Sequence, residues 1–286
     1  MTDVAVVVGV RGFGVACARR LGAGRHLLVA DVSADVLEQV TGDLQREGYR
    51  VTPTLVDVAD PASIDALVAE ATRIGRLHAM VHTAGVSPRM ATPEKIYAVN
   101  LLGTINVINA FLPIAVEGSV GVVMSSNAAY YAPVPPEVER ILALGSAEEM
   151  LASVRTVPGW DTGLGAYWLA KRSNQLRVQA AAAEWGRKSA RILSVSPGII
   201  STPMIHFERD AGAPVDKTVS NVPVGRIGVS EDIAAAVAWL CGPEASFVTG
   251  TDLLVDGGMM GALKWSGMTT EDPQSAAGQV PGLRES

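Results

Sequence analysis

Runs of apolar, largely β-branched residues alternate with helix-periodic segments along most of the chain, and this alternation constrains the fold more than any other feature. Apolar runs without polar alternation are typical of strands buried on both faces, as in a parallel sheet. The pattern predicts an α/β fold, a Rossmann-type doubly wound parallel sheet of about seven strands with right-handed crossovers. The predicted strands are Val4–Gly9, His26–Asp31, Val51–Val58, Leu77–Thr83, Val120–Ser126, Ala190–Ser196 and Asp252–Asp256.

The segments between these strands repeat apolar residues at the spacing of one helix face. Ser33 is a candidate N-cap for one helix, and Asp60 followed by Pro61 is a cap and first-turn proline for another. Further helices are predicted at about Pro93–Val116, Ala166–Gly186 and Ser230–Leu240.

Two stretches break the alternation. Residues 127–165 carry prolines and two short helix-like pieces, and residues 259–286 are rich in Gly, Ser, Pro and Gln. Neither is long enough to form a second domain with its own core. We therefore expect one dinucleotide-binding domain over residues 1–262, an insertion at about 127–165 and a C-terminal extension at 263–286.

The composition limits the classes of binding partner and the cellular compartment that we expect. The net charge of −6 provides no basic surface for nucleic acid or for anionic lipid. Two cysteines, Cys17 and Cys241, cannot form a disulfide framework, which favours a reducing compartment. The first residues lack both the signal-peptide pattern and the roughly 20 apolar residues of a membrane span. We expect a soluble cytoplasmic protein with a small-molecule substrate, and neither nucleic acid nor a membrane as partner.

A glycine-rich turn follows the first predicted strand and opens a helix. Glycine lets the backbone approach a pyrophosphate at the helix N-terminus, where amide groups favour anions. Asp31 and the following Val32 end the second strand, where an acid can accept hydrogen bonds from the adenosine ribose and repel a 2′-phosphate. NAD is therefore favoured over NADP, although a turn-forming aspartate is the alternative and Arg11 could offset a 2′-phosphate. The turn consists of Gly9, Val10, Arg11, Gly12, Phe13 and Gly14.

Tyr167 and Lys171 lie four positions apart in a predicted helix, so both can face one site. A free tyrosine has a pKa of about 10, and a nearby ammonium favours its phenolate form. Ser126 ends the fifth strand at the carboxyl edge of the sheet, where open α/β sheets bind ligands. The sixth strand ends there too, in the turn Pro197-Gly198-Ile199-Ile200-Ser201-Thr202.

In combination and in order, these residues resemble the short-chain dehydrogenase/reductase family over roughly residues 3–258. The resemblance implies an NAD(P)-dependent alcohol dehydrogenase or ketone reductase, commonly a homodimer or homotetramer. The matching pieces are the glycine turn, Asp31, Asp57-Val58, Ala84-Gly85, Asn100, Ser126, Tyr167 to Lys171, Pro197 to Thr202 and residues 255–258.

The resemblance also implies a role for each matching residue. Tyr167 would be the acid–base catalyst and Ser126 would hold the substrate oxygen. Lys171 would bind the nicotinamide ribose and lower the tyrosine pKa, and Asn100 would anchor a proton-relay water. The remaining cofactor contacts would come from Asp57 and Val58 at the adenine, from Ala84 and Gly85, and from Pro197, Gly198, Ile200 and Thr202 toward the nicotinamide.

The sequence departs from the family pattern in four places. The first two glycines of the turn are one residue closer together than usual, Val8 replaces a threonine, and His82-Thr83 replace paired asparagines. Ser126 and Tyr167 are 41 positions apart, much farther than in typical members. The surplus resembles the insertion of the bacterial 3α-hydroxysteroid dehydrogenase/carbonyl reductase branch.

The insertion leads to a hypothesis about the substrate. Both of its ends must lie near the nicotinamide, and it carries many apolar residues. We expect it to wall an apolar pocket for a bulky, cyclic or steroid-like substrate, together with the loop His206–Val222. The alternative is that it packs as a satellite cluster or as a subunit contact.

Two other functions remain open, because a non-catalytic dinucleotide-sensing regulator and an NADP-dependent carbonyl reductase fit the same fold. A nucleotide-sugar epimerase or dehydratase also uses a Tyr–Lys pair and bound NAD, but such enzymes usually carry a larger C-terminal substrate domain, for which this sequence has no room. His78 and His82 could mimic the spacing of metal ligands, but no further ligand converges in sequence. No metal is expected.

Overall fold

Seven parallel strands form one sheet in the order β3-β2-β1-β4-β5-β6-β7. The computed structural model describes residues 2–215, 219 and 222–265. The predicted class is confirmed, with one doubly wound sheet and helices on both faces. The strands are β1 (Asp3–Val8), β2 (His26–Asp31), β3 (Arg50–Leu55), β4 (Arg76–His82), β5 (Val120–Met124), β6 (Arg191–Pro197) and β7 (Asp252–Val255).

Helices follow the strands in the order that the periodicity predicts. Ser33 and Asp60 cap their helices through side-chain oxygens, as expected from the sequence. The described α-helices are α1 (Phe13–Gly22), α2 (Ala34–Arg46), α3 (Pro61–Ile74), α4 (Pro93–Ile96), α5 (Gly103–Phe111), α6 (Pro136–Leu144), α7 (Ala147–Val154), α8 (Gly163–Arg187), α9 (Pro203–Asp210), α10 (Ser230–Cys241) and α11 (Met259–Trp265).

Alternate residues of each central strand point into two separate apolar layers. In β1, Ala5 and Val7 join the layer that includes residues of α1 and α10. Val4 and Val6 join the opposite layer, which includes residues of α3, α5 and α8. All four side chains are fully buried, which is why these strands show no polar alternation in the sequence.

The predicted helix Pro93–Val116 is interrupted. A π-helical stretch, Tyr97–Leu102, separates α4 from α5, and a 3₁₀ turn ends the segment at Ile114. Among the described residues, the stretch Pro93–Ile114 has the length and hydropathy of a membrane span, and 61% of it is buried inside the protein. The π-helical turn matters for the site because it contains Asn100.

The insertion forms α6 and α7, which pack beside α8 in a third apolar cluster. Val138, Leu142 and Met150 are buried there against residues of α4, α5 and α8. An ion pair between Arg172 of α8 and Glu139 of α6 reinforces this packing, with a closest N–O distance of 2.5 Å. The first three residues of the expected extension 263–286 belong to α11, and residues 266–286 lie outside the described part of the chain.

Candidate active site

The turn between β1 and α1 leaves no room for side chains at two of its glycines. Gly9 has a φ of +90°, and a Cβ there would lie 2.5 Å from the Ala84 nitrogen. A Cβ on Gly14 would lie 2.0 Å from the Gly9 carbonyl oxygen. The N-terminus of α1 has no side-chain cap; the Gly14 amide donates to the Arg11 carbonyl at 2.9 Å, whereas the Gly12 and Phe13 amides have no hydrogen bond to another described residue and remain available to an anion. The turn therefore fits the pyrophosphate of a dinucleotide.

Asp31 ties this turn to the end of β2. Its carboxylate accepts hydrogen bonds from the Val10 and Ser33 amides, each at 3.1 Å, and Arg11 Nε lies 3.8 Å from Oδ1. Val32 beside it is exposed. Asp31 thus stabilises the turn through these hydrogen bonds, as the turn-forming alternative expects. It also places a negative charge beside the glycine turn, where the sequence predicts the adenosine ribose.

The other predicted adenine and ribose contacts lie at the same edge of the sheet. Asp57 follows β3, where its carboxylate accepts the Ala59 amide at 2.9 Å and lies 3.9 Å from Lys95 Nζ. Val58 is buried, and its carbonyl accepts a hydrogen bond from Asn106. Ala84 and Gly85 follow β4, with the Ala84 amide donating to the Val8 carbonyl.

Ser126, Tyr167 and Lys171 line one cavity of about 270 Å³ at the carboxyl edge of the sheet. Ser126 comes from the end of β5, and the other two come from the second and third turns of α8. Phe13, Gly85, Pro197, Gly198, Ile200 and Thr202 line the same cavity. The structure therefore brings together residues that are far apart in sequence, as the family resemblance implies.

Electrostatics around Tyr167 are dominated by burial. Burial raises the pKa of the phenol above its ordinary value of 10, a hydrogen bond with Ser126 lowers it, and the Glu208 charge raises it further. Lys171 Nζ lies 5.8 Å from the centre of the tyrosine ring and donates to the Met124 carbonyl at 3.0 Å. The predicted effect of the Lys171 charge on the pKa of Tyr167 stays a prediction.

Asn100 acts on the backbone around the site. Its side-chain oxygen accepts the Val86 amide at 2.9 Å, and its side-chain nitrogen donates to the Val86 carbonyl at 2.8 Å. The Asn100 carbonyl accepts the Thr104 hydroxyl at 2.9 Å and, with the Asn174 amide in its hydrogen-bonded orientation, that amide at 3.0 Å. A relay water at this carbonyl would have to displace one of these donors, because a carbonyl has two lone pairs.

His82 is buried behind Lys171. Its Nε2 lies 3.2 Å from the Thr104 hydroxyl, and burial, followed by the charge of Lys171, lowers the pKa of the imidazole to about 3. His82 therefore stays neutral and packs in the core. Within the described residues, no three His, Cys, Asp or Glu side chains are placed to hold a metal ion.

The substrate end of the cavity is closed by α9, which Thr202 caps. Met204, Ile205 and Glu208 of this helix line the cavity opposite Ser87 and Pro88 of the β4–α4 loop. The sequence pattern does not predict Ser87, and it covers Glu208 only as one position of the expected loop His206–Val222. These two residues are 121 positions apart, so no local signal marks their contact.

The expectation that the insertion walls this cavity is wrong for nearly all of its length. Asn127 and Ala128 line the cavity, whereas the apolar side chains of α6 and α7 pack in the third cluster. The alternative of a satellite cluster is correct, because α8 offers these side chains an apolar face to cover. The loop expected to help, His206–Val222, does line the cavity through Glu208, Ala213, Pro214 and Val215, and residues 216–218, 220 and 221 lie outside the described part of the chain.

Lys171→Met should change how the stability of the dinucleotide-free protein depends on pH. Burial lowers the pKa of Lys171 from 10.5 to about 8. Between these values the unfolded chain holds more protons than the folded one, so the Lys171 contribution to the free energy of unfolding rises with pH. Below pH 8 both states are protonated and the cost of the buried charge is constant.

The free energy of unfolding of the methionine variant minus that of wild type should therefore fall by on the order of 2–3 kcal/mol between pH 7 and pH 10. Urea unfolding of both proteins at the two pH values measures this difference. Burial also raises the pKa values of Cys17 and Cys241 to about 12, which gives the opposite slope above pH 9, but that effect cancels between the two proteins. If this difference in the free energy of unfolding were the same at both pH values, burial would not lower the pKa of Lys171.

Comparisons with known proteins agree with this geometry. Residues 3–135 match the short chain dehydrogenase family model, and residues 136–260 match a second model, described as enoyl-(acyl carrier protein) reductase. The chain is 39% identical over 266 residues to short-chain dehydrogenase/reductase bsc3 of Alternaria brassicicola, covering 90% of this chain and 96% of that protein. It is 30% identical over 258 residues to a cyclohexanol dehydrogenase of an Acinetobacter species, covering 89% and 93%.

Solved structures show the same similarity. A short-chain dehydrogenase/reductase from Serratia marcescens superposes with a TM-score of 0.71 at 26% identity, over 90% of this chain and 97% of that one. The structure named gox2181 gives a TM-score of 0.74 at 25% identity, over 91% and 96%. With the family models, the 39% identical relative and the shared sheet order all in agreement, the chain belongs to the short-chain dehydrogenase/reductase family.

Proposed function

We propose that this protein transfers a hydride between NAD and a neutral, bulky cyclic secondary alcohol or its ketone. Membership of the family makes it an oxidoreductase that uses a nicotinamide dinucleotide. The observation that carries the proposal is the convergence of Ser126, Tyr167 and Lys171 on one cavity beside the glycine turn. The presence of all three side chains argues against a non-catalytic dinucleotide sensor, which would not need a proton donor such as Tyr167.

The dinucleotide would lie across the carboxyl edge of the sheet. The amides at the start of α1 would face its pyrophosphate, Asp31 the adenosine ribose, and Asp57 with Val58 the adenine. Lys171 would bind the nicotinamide ribose. When bound, the dinucleotide supplies or accepts the hydride, and the protein supplies orientation and proton transfer.

The acid–base step follows from the positions of two hydroxyl groups. In reduction, Tyr167 donates its phenolic proton to the oxygen of the carbonyl that becomes the alcohol. Ser126 donates a hydrogen bond to the same oxygen and stabilises its developing charge. In oxidation, the Tyr167 phenolate removes the hydroxyl proton. Tyr167 is protonated near neutral pH already at the ordinary pKa of a phenol, and burial raises this pKa further.

The walls of the cavity support an apolar substrate. Val86, Pro88, Met204, Ile205 and Val215 surround its substrate end. Apolar walls with few polar anchors are the usual design of small-molecule sites. Among the similar proteins, one is named for a cyclic alcohol, cyclohexanol.

The test is a turnover assay on purified protein with NAD and NADP. Cyclic secondary alcohols of increasing size are compared with short linear and polar ones, and the absorbance of the reduced cofactor is followed. We expect the highest kcat/KM for a cyclic alcohol with NAD. Dinucleotide binding without turnover of any alcohol or ketone would favour the sensor instead.

Cofactor choice gives a separate prediction, because Arg11 favours the second candidate, an NADP-dependent carbonyl reductase. Asp31→Asn removes the negative charge but keeps an oxygen to accept the Val10 or Ser33 amide. We expect wild type to prefer NAD over NADP by at least about tenfold in kcat/KM, and the asparagine variant to narrow that ratio. Arg11→Ala should widen it. A wild-type preference for NADP would contradict the assignment and identify Arg11 as the determinant.

A further inference from the structure

Among the described residues that line the cavity, one carboxylate, that of Glu208, faces its substrate end. Glu208 of α9 lines the cavity with its side chain 12% exposed. Its Oε1 accepts the Ser87 hydroxyl at 2.5 Å and the Arg89 amide at 3.0 Å. Arg89 Nε lies 3.5 Å from Oε2. The carboxylate is therefore fixed in place by donors from the opposite wall.

The charges around this carboxylate are unevenly distributed. Among the described residues that line the cavity, Lys171 and Glu208 carry the charged side chains, and apart from Ser87, whose hydroxyl donates to Glu208, the substrate end is lined mainly by apolar side chains. Lys171 Nζ is directed to the Met124 carbonyl. Arg89 contacts Glu208 but does not line the cavity, and it is 47% exposed. The other charged residues of α9, Arg209 and Asp210, do not line the cavity either.

We infer that Glu208 is a specificity-determining residue, whose carboxylate disfavours substrates with a second, anionic group and favours neutral ones. A charge in a cavity with few polar groups acts more strongly than it would in water. Arg89 reduces this effect from outside, where solvent screens it. The negative charge also reaches the reacting end, because Glu208 contributes to the raised pKa of Tyr167. The inference rests on the proposed function and narrows its substrate class.

The experiment compares two substrates of the same shape. The ketones 4-oxocyclohexanecarboxamide and 4-oxocyclohexanecarboxylate differ by one charge, and both are reduced with NADH. The measured quantity is the ratio of kcat/KM for the amide to that for the carboxylate. Glu208→Gln retains an oxygen to accept the bonds from Ser87 and Arg89 but removes the charge, and it should lower this ratio by about tenfold.

Arg89→Met is the matched control. It removes the screening cation and the hydrogen bond of that cation to the Ala211 carbonyl, leaves the Glu208 charge, and keeps the Arg89 backbone donor, so it should raise the ratio. If Glu208 and Arg89 served only to hold α9 against the β4–α4 loop, both variants would change the ratio in the same direction or leave it unaltered. Either result would overturn the inference.

Two further measurements separate this inference from the proposed function. Calorimetric titration of the NADH-loaded proteins with cyclohexanecarboxamide and cyclohexanecarboxylate should give the same order of affinity ratios without turnover. That order in the absence of any ketone reduction would refute the proposed function and leave the selectivity intact. In the active protein, Glu208→Gln should also lower the apparent pKa of the rate profile assigned to Tyr167, with Ser126 and Lys171 retained as its neighbours. Equal affinity ratios in all three proteins, or no binding of either compound, would overturn the inference.

Discussion

Tyr167→Phe is expected to reduce kcat at least about a hundredfold and to leave dinucleotide affinity within about twofold of wild type. The phenyl ring can still pack where the tyrosine ring packs, but the proton donor is lost. Steady-state rates with the best cyclic substrate, and titration of NADH by fluorescence, measure the two effects separately.

Tyr131→Phe is the control for loss of a phenolic hydroxyl. Tyr131 stacks on Trp168, with ring centres 5.8 Å apart, and it does not line the cavity. Its replacement should leave kcat near the wild-type value. Full turnover in Tyr167→Phe would place the proton transfer on another group and would leave the tyrosine with a packing role.

Most of the fold could be predicted because the residue pattern of a strand shows which of its faces are buried. Side chains of β1 alternate between two apolar layers, so its sequence is one continuous apolar run; Ala5 and Val7 enter one layer, and Val4 and Val6 enter the other. Local caps such as Ser33 and Asp60 then fix the helix starts. A strand boundary is harder to predict, because an apolar loop reads like a strand. Val56 and Val58, predicted in β3, are buried beyond its end at Leu55.

The π-helical turn at Asn100 could not be predicted, because the residues around it repeat like those of an ordinary helix. The pairing of the Asn100 side chain with the Val86 backbone, 14 positions earlier, was equally without a local signal. The direction of the insertion was equally hidden. Leu142 and Met150 would be apolar whether they faced a substrate or the side of α8, and only the fold decides between the two surfaces.

Some residues of the candidate site could likewise be predicted from the sequence, and others could not. Tyr167 and Lys171 share one helix face, so their spacing alone predicts that they converge. Ser87 comes from the β4–α4 loop and Glu208 from α9, 121 positions apart, and only the folded chain brings them into contact. The family resemblance covers the groups that handle the cofactor and the proton. It leaves the substrate wall open, since that wall varies while the fold stays the same.

Gly14→Ala should damage both folding and dinucleotide binding, because the turn between β1 and α1 has no space for a methyl group. A Cβ at Gly14 would lie 2.0 Å from the Gly9 carbonyl oxygen and 2.8 Å from the Thr83 hydroxyl. The Gly9 backbone cannot retreat, because Gly9 packs closely on Ala84 and its amide is bonded to the Ala30 carbonyl. We expect the free energy of unfolding to fall by about 1–3 kcal/mol and the NAD affinity to fall by about a hundredfold.

Gly42→Ala is a matched control within α2. This glycine is also helical, but a Cβ there would meet no atom within 4 Å. Alanine should therefore stabilise the protein by about 0.5–1 kcal/mol through helix propensity, with NAD affinity unchanged. Because both substitutions gain the same propensity, the difference between them isolates the steric clash in the turn. Urea unfolding and NAD titration measure it, and equal behaviour of the two variants would show that the turn can open at little cost.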